Sequence, residues 1–116
     1  MENSEKIQMI EISKIFVLNP RERNELIRRE YMVYTCKTYK DVIDFMIVKE
    51  NKKCYIQVAY MLKELEDNHD FEVFGPIKEK VNKYIFSLDT EDFSKDGIIN
   101  INIEEWLKGN IDIELK

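Results

Sequence analysis

The chain has 116 residues, of which 44% are hydrophobic and 35% charged, and this balance is typical of a single folded domain rather than a disordered segment. Its apolar runs, such as residues 15–18, are far shorter than the roughly 20 residues of a membrane-spanning helix. Glu2 and Glu5 stand where a signal peptide would be basic, so we expect a cytoplasmic protein without membrane contact.

The net charge of −5 is unevenly spread along the sequence. Residues 21–40 hold six Lys or Arg against three acids, whereas residues 61–116 hold seven against fourteen. The basic segment predicts a patch that could approach phosphates, although a solvated helix face is the plainer interpretation. That patch comprises Arg21, Arg23, Arg28, Arg29, Lys37 and Lys40. The acidic half repels nucleic acid and favours a basic partner, with a candidate acidic patch at Glu64, Glu66, Asp67, Asp70 and Glu72.

Cysteine and histidine are too sparse for a zinc site. Cys36 and Cys54 have no metal-type spacing, and His69 is the single histidine. Both cysteines fall in strand-like segments, where a reduced, partly buried thiol is the common outcome. We therefore expect no cofactor and no disulfide.

The first predicted elements are an N-terminal extension and a helix. Residues 1–18 contain isoleucine-rich spacing that suits either a helix or a strand, and we expect this segment to pack on the core. Asn19 and Pro20 then form a helix start, with Asn as the N-cap and Pro in the first turn. The helix is predicted to end near Glu30, with Leu26 and Ile27 facing inward.

Three strands follow, at residues 31–36, 42–48 and 53–60, with a hairpin turn at residues 50–52. The alternation places Asp44 on the same strand face as Met46. In the third strand Gln57 and Ala59 share a face with Tyr55.

The second half predicts a helix, two strands and a terminal helical turn. The helix covers residues 61–80 and is interrupted by Gly75 and Pro76. The strands lie at 83–89 and 98–103, separated by a polar loop, and a helical turn follows at 104–107. The tail at 109–116 is expected to fray. This order predicts an α/β fold with a mixed sheet flanked by helices.

The chain lacks the motifs of several enzyme classes. It has no glycine-rich phosphate-binding loop, and its one histidine argues against a hydrolytic triad. The remaining catalytic idea is a divalent metal site on Asp44. A metal-dependent nuclease core presents its ligands on an acid that ends one strand and, after a short turn, on a strand of the form apolar-Glu-x-Lys. Gln57 offers only a neutral oxygen and Ala59 none, so the alternative is that Asp44 is a polar strand residue bonded to Gln57 or to a backbone amide.

The sequence also resembles a known family. The resemblance runs over roughly residues 18–108, and its most specific string is Ile56-Gln57-Val58-Ala59-Tyr60. Further segments that carry it are residues 24–29, 31–34, 43–45, 74–75, 83–89, 96–98 and 101–102. These resemble the C-terminal domain of unknown function of a prokaryotic AAA-type ATPase family, which is similar to the PD-(D/E)XK nuclease-like superfamily.

The resemblance implies a restriction-endonuclease-like core over residues 19–108 whose metal site is degenerate. It places the superfamily's aspartate on Asp44, its Glu-x-Lys pair on Gln57 and Ala59, and its helix glutamate near Asn19. Val42 replaces the family's usual glutamate. Because the family's ATPase module is not in this chain, we do not transfer ATPase activity. The expected function is that of a free-standing, catalytically inactive module that binds a macromolecule, mainly protein and only weakly nucleic acid.

Two alternatives stay open. One is a small acidic inhibitor, of the kind carried by phages and mobile elements, that occupies a basic nucleic-acid-binding cleft of a host or defence nuclease. The other is a magnesium-dependent nuclease with a migrated ligand set, in which Asp44 acts with Glu25 or Asp41 and with a lysine such as Lys37 or Lys53. A homodimer is also possible through an aromatic-rich set comprising Tyr31, Tyr34, Tyr39, Tyr55, Tyr60 and Met61.

Overall fold

A computed structural model describes residues 8–11, 20–38, 41–64 and 69–116 of the chain. The strands are β1 (Gln8–Glu11), β2 (Met32–Lys37), β3 (Val42–Lys49), β4 (Lys52–Val58), β5 (Lys83–Ser87) and β6 (Ile98–Asn102). The helices are α1 (Pro20–Arg28), α2 (His69–Glu72) and α3 (Ile103–Leu107), and a short 3₁₀ helix covers Leu62–Glu64.

The six strands form one mixed sheet whose spatial order follows the sequence, β1 to β6. The first four strands pair antiparallel, whereas β5 is parallel to β4 and β6 is parallel to β5. A parallel neighbour requires the chain to cross back over the sheet, and the segment that contains α2 makes that crossing between β4 and β5. The predicted α/β class with a mixed sheet is therefore confirmed.

Helix α1 begins at Pro20, as the sequence predicts, because proline tolerates the first helical position. Leu26 on this helix is fully buried. The prediction that Ile27 also faces inward is wrong, since its side chain is 45% exposed. Consecutive helical residues point about 100° apart, so the residue next to a fully buried one turns toward solvent.

The hairpin between β3 and β4 has a two-residue loop, because Lys49 is paired with Lys52. Its two loop residues, Glu50 and Asn51, have φ values of 53° and 66°. Positive φ at both central positions is the geometry of a type I′ turn, which matches the right-handed twist of the strands. The predicted turn is thus confirmed, with a glutamate in a conformation that favours glycine or asparagine.

The predicted long helix over residues 61–80 is wrong. The described part of this segment contains only the 3₁₀ turn at Leu62–Glu64 and the four residues of α2, followed by turns. Val73, Phe74 and Ile77 in those turns are buried. The apolar spacing in this segment therefore reflects side chains buried against the sheet from an irregular backbone, not from a helix. Residues 65–68 lie outside the described part of the chain.

The sheet separates two hydrophobic cores. One includes Leu26, Phe45, Phe86 and Trp106, under α1 and α3. The other includes Tyr55, Val73, Phe74 and Ile85, under α2 and the turns after it.

Among the helices that the structure describes, none is long and apolar enough to cross a membrane.

The C-terminal tail does not fray, contrary to the expectation for residues 109–116. Lys116 exchanges two backbone hydrogen bonds with Lys53, at 3.0 and 3.1 Å. Ile113 is buried in the same core as Trp106, and the amide of Glu114 donates to the Tyr84 hydroxyl at 2.8 Å. The tail is thus anchored because alternate apolar side chains reach the core.

Both cysteines are free thiols in buried positions. Burial raises the pKa of the Cys36 thiol to about 11 and that of the Cys54 thiol to about 12. Thiols with such pKa values are protonated at neutral pH and react slowly. The prediction of reduced cysteines agrees with this arrangement.

Candidate functional site

Asp44 lies in a β-bulge near the start of β3. Tyr34 of β2 pairs with Met46, but two residues later Cys36 pairs with Ile43, so β3 has one more residue than β2 in this stretch. A bulge bends its strand and redirects a side chain out of the regular alternation. Because Ile43 and Met46 both belong to the core under α2, the bulge interrupts the strict alternation on which the grouping of Asp44 with Met46 was based.

The backbone pairing of β3 with β4 ends next to the bulge, at Phe45 and Ile56. Beyond that pair, side chains bridge the two strands. The Asp44 amide donates to Gln57 Oε1 at 3.0 Å, and the Val58 amide donates to Asp44 Oδ2 at 2.8 Å. Asp44 and Gln57 therefore form a reciprocal pair of side-chain-to-backbone bonds, which we call the Asp44–Gln57 clamp.

The clamp extends to α2 through the other end of the Gln57 amide. Gln57 Nε2 donates to Asp70 Oδ1 at 3.1 Å, and only 7% of Gln57 is exposed. Ala59 is also buried, and its backbone amide donates to the Phe86 carbonyl at 2.8 Å. Both the oxygen and the nitrogen of the Gln57 amide are thus bonded within the protein, and position 59 offers no polar side chain to a ligand.

The surroundings of Asp44 oppose its negative charge. Burial raises the pKa of Asp44 to about 6, and the nearby carboxylates of Asp70, Glu22 and Asp41 act in the same direction. The hydrogen bond from the Val58 amide has the opposite effect on this pKa. Because Mg²⁺ prefers ionised carboxylates, a proton competes with the cation for Asp44 at pH values near 6 and below.

Glu22 is a member of this cluster that the sequence analysis missed. It lies in the first turn of α1, is 8% exposed, and contributes to the raised pKa of Asp44. The position assigned to the helix glutamate was Asn19, which lies outside the described residues. The missed signal is that Glu22 stands four residues before the buried Leu26 and therefore on the same helix face.

The migrated ligand set proposed from the sequence is only partly brought together. Glu25 turns toward Arg28 and Arg29, which hold its pKa near 2 through hydrogen bonds. Asp41 lies closer to Asp44 and pairs with His69 Nε2 at 3.0 Å. Among the described residues, no three Asp, Glu, His or Cys side chains are spaced to hold a metal ion.

The two lysines considered with that ligand set do not join the clamp. Lys53 forms an ion pair with Glu79. Lys53 lies in the first half of β4, whereas the clamp lies at the end of that strand. Lys37 ends β2 and is exposed.

The basic patch is not a single surface in the described part of the chain. Arg28 and Arg29 both bind Glu25, and Arg29 also stacks on Trp106 with its guanidinium carbon 4.5 Å from the ring centroid. Lys37 lies at the far end of β2, about 17 Å along the strand from its first residue. The Arg21 side chain and Lys40 lie outside the described residues.

The acidic patch is also divided. Glu64 and Glu72 are exposed, but Asp70 is half-buried and bonded to Gln57. Glu66 and Asp67 lie outside the described residues. Asp89, an acid outside this patch, is only 3% exposed. It accepts hydrogen bonds from the Ser87 hydroxyl and from the Leu62 and Lys63 amides, so its carboxylate is not accessible to a partner.

The aromatic-rich set belongs mainly to the two cores. Tyr55 is 1% exposed, and Tyr31 and Tyr34 are half-buried against the core residues. Tyr60 is the exception, with 75% of its surface exposed just after β4. Val42, at the start of the antiparallel neighbour β3, is 41% exposed at the same end of the sheet. Tyr39 lies outside the described residues.

Comparison with known proteins adds no further constraint, because no family model, curated protein or solved structure matches the chain.

Proposed function

We propose that this protein is a catalytically degenerate, nuclease-like module that acts by binding another macromolecule, mainly a protein. The observation that carries the proposal is the Asp44–Gln57 clamp. Asp44 Oδ2 accepts the Val58 amide, and Gln57 Oε1 accepts the Asp44 amide. The two groups that a metal-dependent nuclease would direct at its cation are therefore engaged with the protein backbone.

The order of elements supports a restriction-endonuclease-like core within this proposal. Helix α1 precedes three antiparallel strands, and a crossing segment with α2 leads to the parallel strand β5. The acid on the bulge of β3 and the Gln57 position on β4 lie side by side, as expected for the two strands that present metal ligands in such a core. Under this proposal Ala59 corresponds to the superfamily's lysine, a side chain that stabilises charge on the attacked phosphate in an active enzyme.

The catalytic part is tested by a cleavage assay on DNA and RNA with Mg²⁺ and Mn²⁺. We expect no metal-dependent cleavage by the wild-type protein. The double variant Gln57→Glu/Ala59→Lys introduces the glutamate and the lysine of the Glu-x-Lys pair. Its metal binding is compared with that of the wild-type protein. Cleavage by the wild-type protein that is lost in Asp44→Ala would overturn the proposal and favour the migrated-ligand nuclease.

For the binding function, the candidate interface is the end of the sheet where Tyr60 and Val42 are exposed. An exposed tyrosine provides a large apolar area and a hydroxyl group, and such side chains are frequent anchors in protein interfaces. We expect a bait of the wild-type protein to retain one stoichiometric protein from the lysate of its host. A Tyr60→Ser bait should retain much less of it, whereas an Ile111→Ser bait, changed at an exposed apolar residue outside the sheet, should behave as wild type.

Equal capture by the Tyr60→Ser and wild-type baits would contradict this surface as the interface. The acidic-inhibitor alternative predicts a different behaviour, since its attraction is electrostatic and is screened by salt. The acidic inhibitor is the second candidate function because several acids in the described part of the chain are exposed, namely Glu64, Glu72, Glu91, Asp92 and Asp96. A basic partner that is released at high salt and retained by the Tyr60→Ser bait would support that alternative.

A further inference from the structure

A concave site lies between α2 with the turn after it, the start of β5, and the turn before β6, next to the Asp70 side chain that is bonded to Gln57. It is a pocket of about 490 Å³. Its lining includes Phe71, Glu72, Phe74, Lys83, Lys95 and Ile98. The volume is in the range of pockets that bury a small organic molecule.

The floor of this pocket is apolar and is part of the core under α2. Phe74 is 3% exposed and Ile98 is 6% exposed, and both belong to the core under α2. Phe71 is half-buried and packs against the same core. Two phenyl rings and an isoleucine provide a surface that favours a flat, apolar group.

Lys83 supplies a positive charge at the side of that floor. It pairs in the sheet with Ile98 of β6, so the two side chains stand next to each other. The nearby Glu79 carboxylate is engaged by the Tyr55 hydroxyl, at 2.7 Å, and by Lys53. Lys83 Nζ instead reaches the Glu79 carbonyl at 3.4 Å, and in the described part of the chain no carboxylate oxygen lies within ion-pair distance of it.

The outer part of the pocket is mixed in charge. Lys95 Nζ lies 4.6 Å from the centroid of the Phe71 ring, so this lysine covers one face of an aromatic wall. Glu72 and Asp96 also line the pocket and are exposed. Because these two exposed carboxylates repel an anion, the favourable position for one in this pocket is beside the half-buried Lys83.

From this arrangement we infer that the pocket binds small aromatic carboxylates. The ring lies on Phe71, Phe74 and Ile98, and the carboxylate accepts a charge-assisted hydrogen bond from Lys83 Nζ. This site is distinct from the Asp44–Gln57 clamp and from the Tyr60 surface, and its test does not depend on the proposed function.

The test is a nuclear magnetic resonance titration of the whole protein with naphthylacetate and with its neutral counterpart, naphthylacetamide. We expect saturable shifts of the Phe71, Phe74 and Ile98 amides with the acid at millimolar concentration or below. The amide should bind about tenfold more weakly, since it lacks the charge-assisted bond to Lys83. Lys83→Met should lower the affinity for the acid to that for the amide, whereas Lys83→Arg should retain the preference for the acid.

Lys63→Met, at an exposed lysine that does not line the pocket, is the matched control and should leave both affinities unchanged. Thermal unfolding of each variant shows whether it is folded, and Lys83→Arg provides a charge-preserving variant if Lys83→Met is not. The inference is overturned if the acid gives no saturable shifts, if acid and amide bind equally, or if Lys83→Met leaves the preference for the acid intact.

Discussion

Asp44 is an acid held where its charge is disfavoured, and this has a consequence for stability. Its pKa rises from 3.8 to about 6 in the folded protein, chiefly because it is buried. Between these values the folded chain binds more protons than the unfolded chain, so stability falls as the pH rises from about 4 to about 6. The full cost, about 2–3 kcal/mol, is present above that window.

The variant Asp44→Asn tests this account. Asparagine keeps an oxygen for the Val58 amide but carries no charge, so we expect it to be more stable than wild type at pH 8 by about 1–3 kcal/mol. The difference should vanish at pH values near the unfolded pKa of Asp44 and below it. Urea unfolding of both proteins across the pH range measures it. A variant that is destabilised equally at acid and alkaline pH would show that the charge of Asp44 is not the cause.

Asp89 is a buried acid with the opposite design. It is 3% exposed, and although burial raises its pKa, hydrogen bonds from Ser87 and from the Leu62 and Lys63 amides lower it below its usual range. The Leu62 amide lies 2.7 Å from Asp89 Oδ2. This carboxylate therefore fixes the start of the 3₁₀ turn to the end of β5.

We expect Asp89→Ala to cost about 2–4 kcal/mol of stability, because it leaves the Ser87 hydroxyl and two backbone amides without an acceptor. The exposed neighbour Glu91→Ala is the control and should change stability by less than about 0.5 kcal/mol. Chemical unfolding of the two variants provides the comparison. A similar small effect for both would mean that water replaces the Asp89 carboxylate at these amides.

At the scale of elements, the β3–β4 hairpin contains an avoidable conformational cost. Glu50 and Asn51 both adopt positive φ, which costs a residue other than glycine about 1 kcal/mol. We expect Glu50→Asn/Asn51→Gly to stabilise the protein by about 0.5–1.5 kcal/mol, since Asn-Gly is the preferred type I′ pair. Glu50→Gln removes the charge without this backbone preference and should have little effect. Equal stabilisation by both variants in thermal unfolding would attribute the gain to charge rather than to the turn.

Strands β2 to β6 and α1 were predictable because their signals are local, whereas the sequence left open whether the segment that contains β1 is a helix or a strand. The Asn19-Pro20 start and the alternation around residues 53–60 depend only on neighbouring residues. The segment at 61–80 was not predictable, because its apolar residues report burial against the sheet and not a helical backbone. The anchored tail was missed for a related reason, since Ile113 is buried only in a tertiary contact that is distant in sequence.

For the candidate site, the sequence indicated the partners but not their geometry. The interpretation of Asp44 as a polar strand residue bonded to Gln57 or to a backbone amide is confirmed, because it makes both kinds of bond. The bulge that redirects Asp44 depends on the register with β2, and sequence spacing does not specify a register shift. The approach of Glu22 and Asp70 likewise depends on how α1 and α2 pack over the strands.

At the scale of the whole molecule, one sheet with a core on each face supports three separate surfaces. The Asp44–Gln57 clamp lies where β3 and β4 diverge, the exposed Tyr60 follows β4 at that end of the sheet, and the pocket lies at the start of β5 and β6. The proposed loss of catalysis concerns only the first of these.

The measurement that tests the central claim most directly is a Mg²⁺ titration followed at the Val58 amide, which donates to Asp44 Oδ2 in the clamp. For the wild-type protein near neutral pH we predict no saturable shift of this amide at millimolar Mg²⁺, because neither Gln57 nor Ala59 provides a second carboxylate beside Asp44. For Gln57→Glu/Ala59→Lys we predict that a saturable shift appears. A saturable shift in the wild-type protein that disappears in Asp44→Asn would contradict the account and make a metal-dependent nuclease the better description.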